Sequence, residues 1–411
     1  MNIACLGDNV NKAMNIVEIN TLNFSSTGNI MLNVTHSLRE QGHHVMVCYP
    51  ATRNNLRKQV EGSYLICGQI ERNIALNISK LTGYDDLLFR SATRRLVRQI
   101  DRFGVDVIHL HNLHCWFINL PVLFDYIKKK NIRVVWTFHD CWAMTGHCPH
   151  FDMIGCDKWK TECHNCPIYR EYPECMVDNS RRMFRIKKST LTGVENMTIV
   201  TPSQWMATIV SQSYFKDYPV QIINNGINPE VFKPTVSNFR RAYQCEGKTL
   251  LLGVAMGWTI KKGIDIFLRL ANELDDNYRI VLVGTDEQID QQLPYNIISI
   301  HQTLNQEELA AIYSTSNLFV NPTREDTFST VTIEALSCGT PVLAFRTGGT
   351  PEILDATCGS VVEKNDYDSL KKEIARITKN TPFSTTDCRT RALNFTQEKM
   401  VKNYLHLLTS G

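Results

Sequence analysis

Short runs of β-branched and aromatic residues recur along the chain, each closed by a polar or turn residue. HHVMVCYP (43–50), VDVIHLHN (105–112), NIRVVWTFHD (131–140), NMTIVTPS (196–203) and PVQIINNG (219–226) read in this way as strands. Between them apolar residues recur at helical spacing, as in GNIMLNVTHSLREQG (28–42), where Gly42 is a natural stop. After NNGINPEVFKP (224–234) the rhythm restarts. KTLLLGVAM (248–256), NYRIVLVGT (277–285), IISI (297–300), NLFVNP (317–322) and PVLAF (341–345) predict strands, with KGIDIFLRLANEL, NQEELAAIYSTS and TVTIEALSCG as helices between them. Such alternation builds parallel sheets covered by helices. The expected fold is α/β, with two Rossmann-like doubly wound domains facing across a cleft. Their expected bounds are 1–225 and 226–390, followed by a C-terminal helix, 391–411, that returns to the first domain. Ligands of such sheets bind at the carboxyl ends of the strands, so the residues just beyond each strand carry the functional question.

One strand end stands out. NLFVNP runs into TREDTFSTVTIEALSCG, a helix start whose amides at Phe328 to Val331 attract phosphate through their unpaired donors and the helix dipole. Glu334 falls inside an apolar helical pattern (Val331, Ile333, Ala335, Leu336), and a half-buried carboxylate requires a partner. That partner is either a donor of the fold or a ligand; as a carboxylate Glu334 can accept two hydroxyl hydrogen bonds. A phosphate at the helix start and a diol beside Glu334 outline a nucleotide. His109 and His111 share one face of a strand end, and His139 and Asp140 end the next strand. A core histidine bonded to the backbone is the commoner reading of such a pair, a metal pair the rarer one.

The 411 residues, 43% hydrophobic and 21% charged, are those of a globular chain long enough for two domains. The net charge of +3 is unevenly spread: residues 1–225 carry 25 Lys and Arg against 19 Asp and Glu, residues 226–411 19 against 22. Much of the excess lies in RSATRRLVRQIDR (90–102) and RRMFRIKK (181–188). These are solvated helix faces or, functionally, a surface for anionic lipid headgroups. Neither run has the aromatic platform or module that nucleic acid binding uses. The start, MNIACLGDNVNKAMNIVEIN, lacks a basic segment followed by an apolar core, and no run of about eighteen apolar residues occurs. A cytoplasmic protein, peripheral to the inner membrane, is expected. Of fourteen cysteines, six fall between Cys141 and Cys175. Cys148, Cys156, Cys163 and Cys166 end in a C-x2-C pair, which suggests structural zinc; reduced buried thiols, disulfides and an iron–sulfur centre are the alternatives. The DYD at 366–368 reads as a surface turn.

REDTFSTVTIEALSCGTPVLAFRTGGTPEIL resembles the donor-site signature of the retaining family-4 glycosyltransferases, a GT-B family. Its pattern is two carboxylates separated by seven residues, a small-residue segment and a Gly-Gly-x-x-Glu loop. FSSTGNIMLNVTHSLREQGHHV, TPSQWMATIV, IINNGINPEVFKP and KKGID extend the resemblance in the family's order, and similar cysteine-bearing inserts occur in colanic-acid-type bacterial members. The resemblance implies that Glu334 holds the ribose, Asp326 lies beside the donor sugar, and Lys262 neutralises the diphosphate. The family's arginine falls on Met256, which leaves Lys261 as the substitute cation. Gly28 matches the second glycine of a loop near the diphosphate, Thr27 replacing the first. Thr327, Phe328, Ser329 and Thr330 fall at the phosphate, His111 near the donor sugar, and His139 and Asp140 on the same cleft. The implied reaction moves a sugar, with retention, from a UDP or GDP sugar to a lipid-linked or growing surface-polysaccharide acceptor, with no cofactor or catalytic metal. A nucleotide-sugar epimerase on the same architecture is the alternative.

Overall fold

The computed structural model describes residues 12–84 and 87–410; readings that rest on residues 1–11 lie outside them. Each of the ten strands read from the pattern is present, and three more join them. The chain forms two parallel sheets. The first contains β1 (Asn15–Ile19), β2 (His44–Tyr49), β3 (Ser63–Leu65), β4 (Val107–Leu110), β5 (Arg133–Thr137), β6 (Met197–Thr201) and β7 (Val220–Ile222), in the order β3-β2-β1-β4-β5-β6-β7. The second contains β8 (Thr249–Val254), β9 (Tyr278–Val283), β10 (Ile297–Ile300), β11 (Leu318–Asn321), β12 (Val342–Phe345) and β13 (Gly359–Val362), in the order β10-β9-β8-β11-β12-β13. Strand order therefore reverses between β1 and β4 in one sheet and between β8 and β11 in the other. These reversals open the crevices at which doubly wound sheets bind ligands.

Contacts along the chain define two compact units. One comprises residues up to Phe138, Cys163–Ile199 and the chain from Tyr404 on; the other comprises His139–Glu162 and Val200–Asn403. The cysteine-rich insert is thereby divided, with Cys148 and Cys156 in the second unit and Cys163 and Cys166 in the first.

In the first unit β1 is central, paired in parallel with β2 and β4. The basic run 90–102 folds as the helix Arg90–Phe103, which buries Ala92, Thr93, Leu96 and Ile100. Its arginines at 94, 95, 98 and 102 are exposed on the other face, the amphipathic division expected of a helix on a sheet. Near the chain end, the Arg133 guanidinium donates to the carbonyls of Leu407 and Leu408 and so caps the last turn of the helix Gln397–Thr409.

The second sheet alternates its side chains between two packed faces. Leu250, Leu252, Val281, Phe319 and Val342 fill one, Leu251, Leu282, Val320 and Leu343 the other. Helix ends are fixed by short polar side chains: Asn305 accepts from the Glu308 amide, and Asp366 from that of Ser369. The latter assigns the DYD segment to a helix cap.

Candidate active site

The chemistry of the second unit collects at the reversal between β8 and β11. After β8 the chain turns through Ile260–Lys262 and reaches Gly263 at φ +81°. A Cβ there would lie 2.6 Å from Pro322, just beyond β11. Glycine is required both by the left-handed backbone and by this approach. Arg324 locks the same contact. Its amide donates to the Lys261 carbonyl (2.8 Å), its guanidinium pairs with both oxygens of Asp265 (2.8 and 2.7 Å), and its Nε donates to Asn365 (2.6 Å). A planar five-donor fork can make these bonds at once, which a lysine cannot.

The turn held in this way presents two lysines to two acids. Lys261 Nζ lies 3.4 Å from Glu325 Oε2, and Lys262 Nζ 3.9 Å from Asp326 Oδ2. Lys262 and Asp326 are both partly exposed, and a pair of that kind contributes only about 0–1 kcal/mol, whereas Lys261 faces a buried carboxylate. A diphosphate can therefore recruit the Lys262 ammonium at little cost. Glu325 is buried and accepts from the Met153 amide at 3.2 Å. Asp326 is more exposed and turns Oδ1 toward the amides of Thr327 (2.8 Å) and Phe328 (3.3 Å).

That bond narrows the expected phosphate cradle. The Thr327 hydroxyl donates to the His139 carbonyl (2.9 Å), its carbonyl accepts from Ser203 Oγ (2.9 Å), and Phe328 packs into the core against Phe395. Thr327 and Phe328 serve the fold. Ser329 and Thr330 open the helix Thr330–Ser337, and first-turn amides have no partner within their helix. Gly348, at φ +53°, is packed so closely that a Cβ would fall 1.8 Å from the Asp326 carbonyl. The Gly-Gly loop thus clamps the acid segment from behind. Glu352, at the end of that loop, accepts from the amides of Gln204 and Trp205 (2.8 and 2.7 Å) at the start of another helix.

Glu334 is half-buried on the helix Thr330–Ser337, with Tyr313 Oη donating to its Oε2 at 3.1 Å. Burial pushes its carboxyl up to about 7, against the lowering effect of that hydrogen bond. Beyond β5, Asp140 accepts from the Trp142 amide at 2.9 Å and closes its own turn.

In the first unit the strand ends at the other reversal hold a buried cluster. Glu18, at the fourth position of β1, has no exposure. It lies 2.9 Å from His109 Nδ1 and 2.9 Å from His111 Nε2. Burial alone would raise the Glu18 carboxyl, but the two imidazoles overcome it and hold it down at about 2. An ionised carboxylate only accepts, so both facing nitrogens carry hydrogen. His109 Nε2 lies 2.9 Å from the Thr137 hydroxyl, which meets Tyr404 Oη at 3.1 Å. Burial, then the neighbouring His109, depresses His111 to about 4, so its ring is neutral near neutral pH. Among the described residues these three side chains form a group that could hold a metal, with ligand atoms within 4.8 Å of one another. Their separations are those of hydrogen bonds, and the cluster is satisfied without an ion.

Sequence comparison decides the family. The description "Glycosyltransferase Family 4" matches residues 27–231, and "Glycosyl transferases group 1" matches residues 248–380. The chain belongs to the family-4 glycosyltransferases. The putative colanic acid biosynthesis glycosyl transferase WcaC of Escherichia coli K12 is 25% identical over 342 residues, 79% of this chain and 80% of that protein. Among solved structures, sucrose-phosphate synthase of Thermosynechococcus elongatus superposes with a TM-score of 0.68 at 17% identity, covering 96% of this chain and 98% of the other. Anabaena HepE in complex with UDP-glucose gives 0.67 at 14%, covering 97% and 100%. These structures share the two-domain GT-B fold.

In this family-4 chain, sequence reading placed Lys261, Lys262, Asp326, Ser329, Thr330 and Glu334 around one crevice of the second unit. Met256, where the family's arginine is expected, is exposed and uncharged. Gly28 has a packing reason of its own: a Cβ would lie 2.8 Å from the Asn23 backbone. The sequence reading gave no role to Arg324 or Glu18, and met Glu352 only as the acid of the Gly-Gly-x-x-Glu loop. A lone acid inside an apolar run, the signal that marked Glu334, also marks Glu18.

Proposed function

We propose that the protein transfers a sugar, with retention of anomeric configuration, from a nucleoside-diphosphate sugar to a lipid-linked or growing surface polysaccharide. The observation that supports this most is the crevice between β8 and β11, where two lysines and a helix start flank a half-buried carboxylate. Lys261, Lys262 and the amides of Ser329 and Thr330 receive the diphosphate, and Glu334 accepts the two ribose hydroxyls. Asp326 stands beside the sugar. We assign His111 to the donor sugar, and His139 and Asp140, just beyond β5, to the catalytic group. Held neutral by its burial and by the neighbouring His109, against the opposing pull of Glu18, His111 acts as a hydrogen-bonding contact and not as an acid.

The bond from the anomeric carbon to the diphosphate oxygen breaks while the acceptor oxygen bonds the same face. The departing phosphate takes the acceptor proton. Positioning and stabilisation of leaving-group charge carry the rate, a task the lysines and helix start fit. The known complexes of HepE with UDP and UDP-glucose support a nucleotide-sugar donor, and the likeness to WcaC supports a role in polysaccharide assembly. No helix among the described residues is long and apolar enough to cross a membrane, so contact with a lipid-linked acceptor is assigned to the surface.

A thermal-shift screen of nucleotide sugars tests the donor site, since a ligand of the folded state raises its melting temperature. The donor found should then be turned over with a polysaccharide-repeat acceptor, and Glu334→Ala should abolish turnover without unfolding the chain. Full activity of that variant, or conversion of donor without any acceptor, overturns the assignment.

A further inference from the structure

The helix Gln69–Thr82 of the first unit is amphipathic in the wrong sense for a helix lying on a sheet. Its buried residues are Ala75 and Ser79. Ile70, Ile74, Ile78 and Leu81, spaced at one helical face, are between 40% and 78% exposed. The apolar surface continues past the helix. The Met176 amide donates to the Lys80 carbonyl at 2.7 Å, and Asn179 donates to the Thr82 carbonyl, which brings the segment 176–179 alongside the C-terminal turn. Met176 and Val177 are themselves exposed. Large contiguous apolar surface is unusual on a folded chain and marks a place of contact.

Both basic runs of the sequence border this face. Arg95, in the helix Arg90–Phe103, reaches Glu71 in the first turn of the apolar helix at 3.9 Å. Arg182, in the helix Ser180–Leu191, lies over the Tyr84 ring at 5.1 Å, just beyond the last turn. Lys80, on the helix itself, pairs with Glu174 at 2.8 Å, so Arg182 over Tyr84 is the cation offered at that end. An apolar stripe with cations at both ends matches an interface that is apolar beneath a sheet of negative charge. A second copy of the chain docked through the same face would set these cations against their own counterparts, and like charges repel.

We propose that this face, Ile70, Ile74, Ile78 and Leu81 with Met176 and Val177, seats the enzyme on an anionic lipid bilayer, the side chains entering the interface and Arg95 and Arg182 meeting headgroup phosphates. The inference deepens the reading of a lipid-linked acceptor, because it puts the enzyme on the surface where that substrate lies.

Flotation of the full chain with vesicles tests it. At low salt the protein floats with phosphatidylglycerol-containing vesicles and not with pure phosphatidylcholine, and the bound fraction falls as salt screens the headgroups. Ile74→Asp with Ile78→Asp lowers partitioning by about tenfold or more, since charge is placed where apolar area is buried. Arg95→Glu with Arg182→Glu lowers it and removes the salt dependence. Should the aspartates unfold the chain, Ile74→Ser with Ile78→Ser reads the same property. Failure of the wild type to float, equal flotation of the isoleucine variants, or a dimer that those variants split into monomers overturns the proposal. The donor-induced thermal shift reads the other unit separately: a chain that floats but binds no nucleotide sugar sinks the catalytic reading alone, and one that turns over its donor but stays in solution sinks this one alone.

Discussion

Glu334 in the unliganded fold accepts from Tyr313 while burial pushes its carboxyl from an ordinary 4.5 up to about 7. The folded chain then holds a proton that the unfolded chain has released, so this group's contribution to stability is greatest below 4.5 and declines as pH rises through about 7. Ribose hydroxyls favour the ionised form. Donor affinity should therefore increase from pH 6 to pH 8 in titration calorimetry. Glu334→Gln should flatten that dependence and weaken binding by about 1.5–3 kcal/mol, the range for hydrogen bonds to a charged group. Glu18 and His111 act in the opposite sense. With folded values of about 2 and about 4, His111 withdraws stability as pH falls from 6.5 through about 4, and Glu18 as pH falls from 4.5 through about 2. Melting temperature should drop on this acid limb. Glu18→Ala strips a buried carboxylate from two buried imidazoles and should cost about 3–5 kcal/mol in urea unfolding; Glu18→Gln, which keeps an acceptor, should cost less.

At the scale of elements, the link between the turn Ile260–Lys262 and the end of β11 decides where Lys262 sits. Arg324→Lys keeps the charge but loses the bidentate grip on Asp265 and the bond to Asn365. The expected result is a roughly tenfold loss in kcat/KM for the donor with a smaller change in melting temperature, about 1–2 kcal/mol in stability terms. Equal rates for the variant and the parent would mean that the lysine turn holds itself. The strands that sequence reading missed, β1, β3 and β13, are five, three and four residues long, no shorter than the legible β5, β7 and β10. Length therefore does not set them apart, and they pair because neighbours in the sheet hold them.

For the molecule as a whole, the C-x2-C pair of the cysteine-rich insert suggests a structural zinc, and metal content tests it. Metal analysis should return about one zinc per chain, and a chelator should lower the melting temperature; substoichiometric metal sinks the proposal. The order and spacing of residues determined a good deal of this protein. Hydrophobic rhythm specified two parallel α/β sheets, because burial on both faces demands continuous apolar strands, and acid spacing after β11 marked the crevice residues. Tertiary structure decided what local pattern cannot encode. Strand order put the ends of β8 and β11 side by side, which paired Lys261 and Lys262 with acids more than sixty positions away. The same non-local pairing set Glu18 against two histidines about ninety positions on. It also turned the isoleucines of the helix Gln69–Thr82 outward, since the face a helix buries depends on what it packs against.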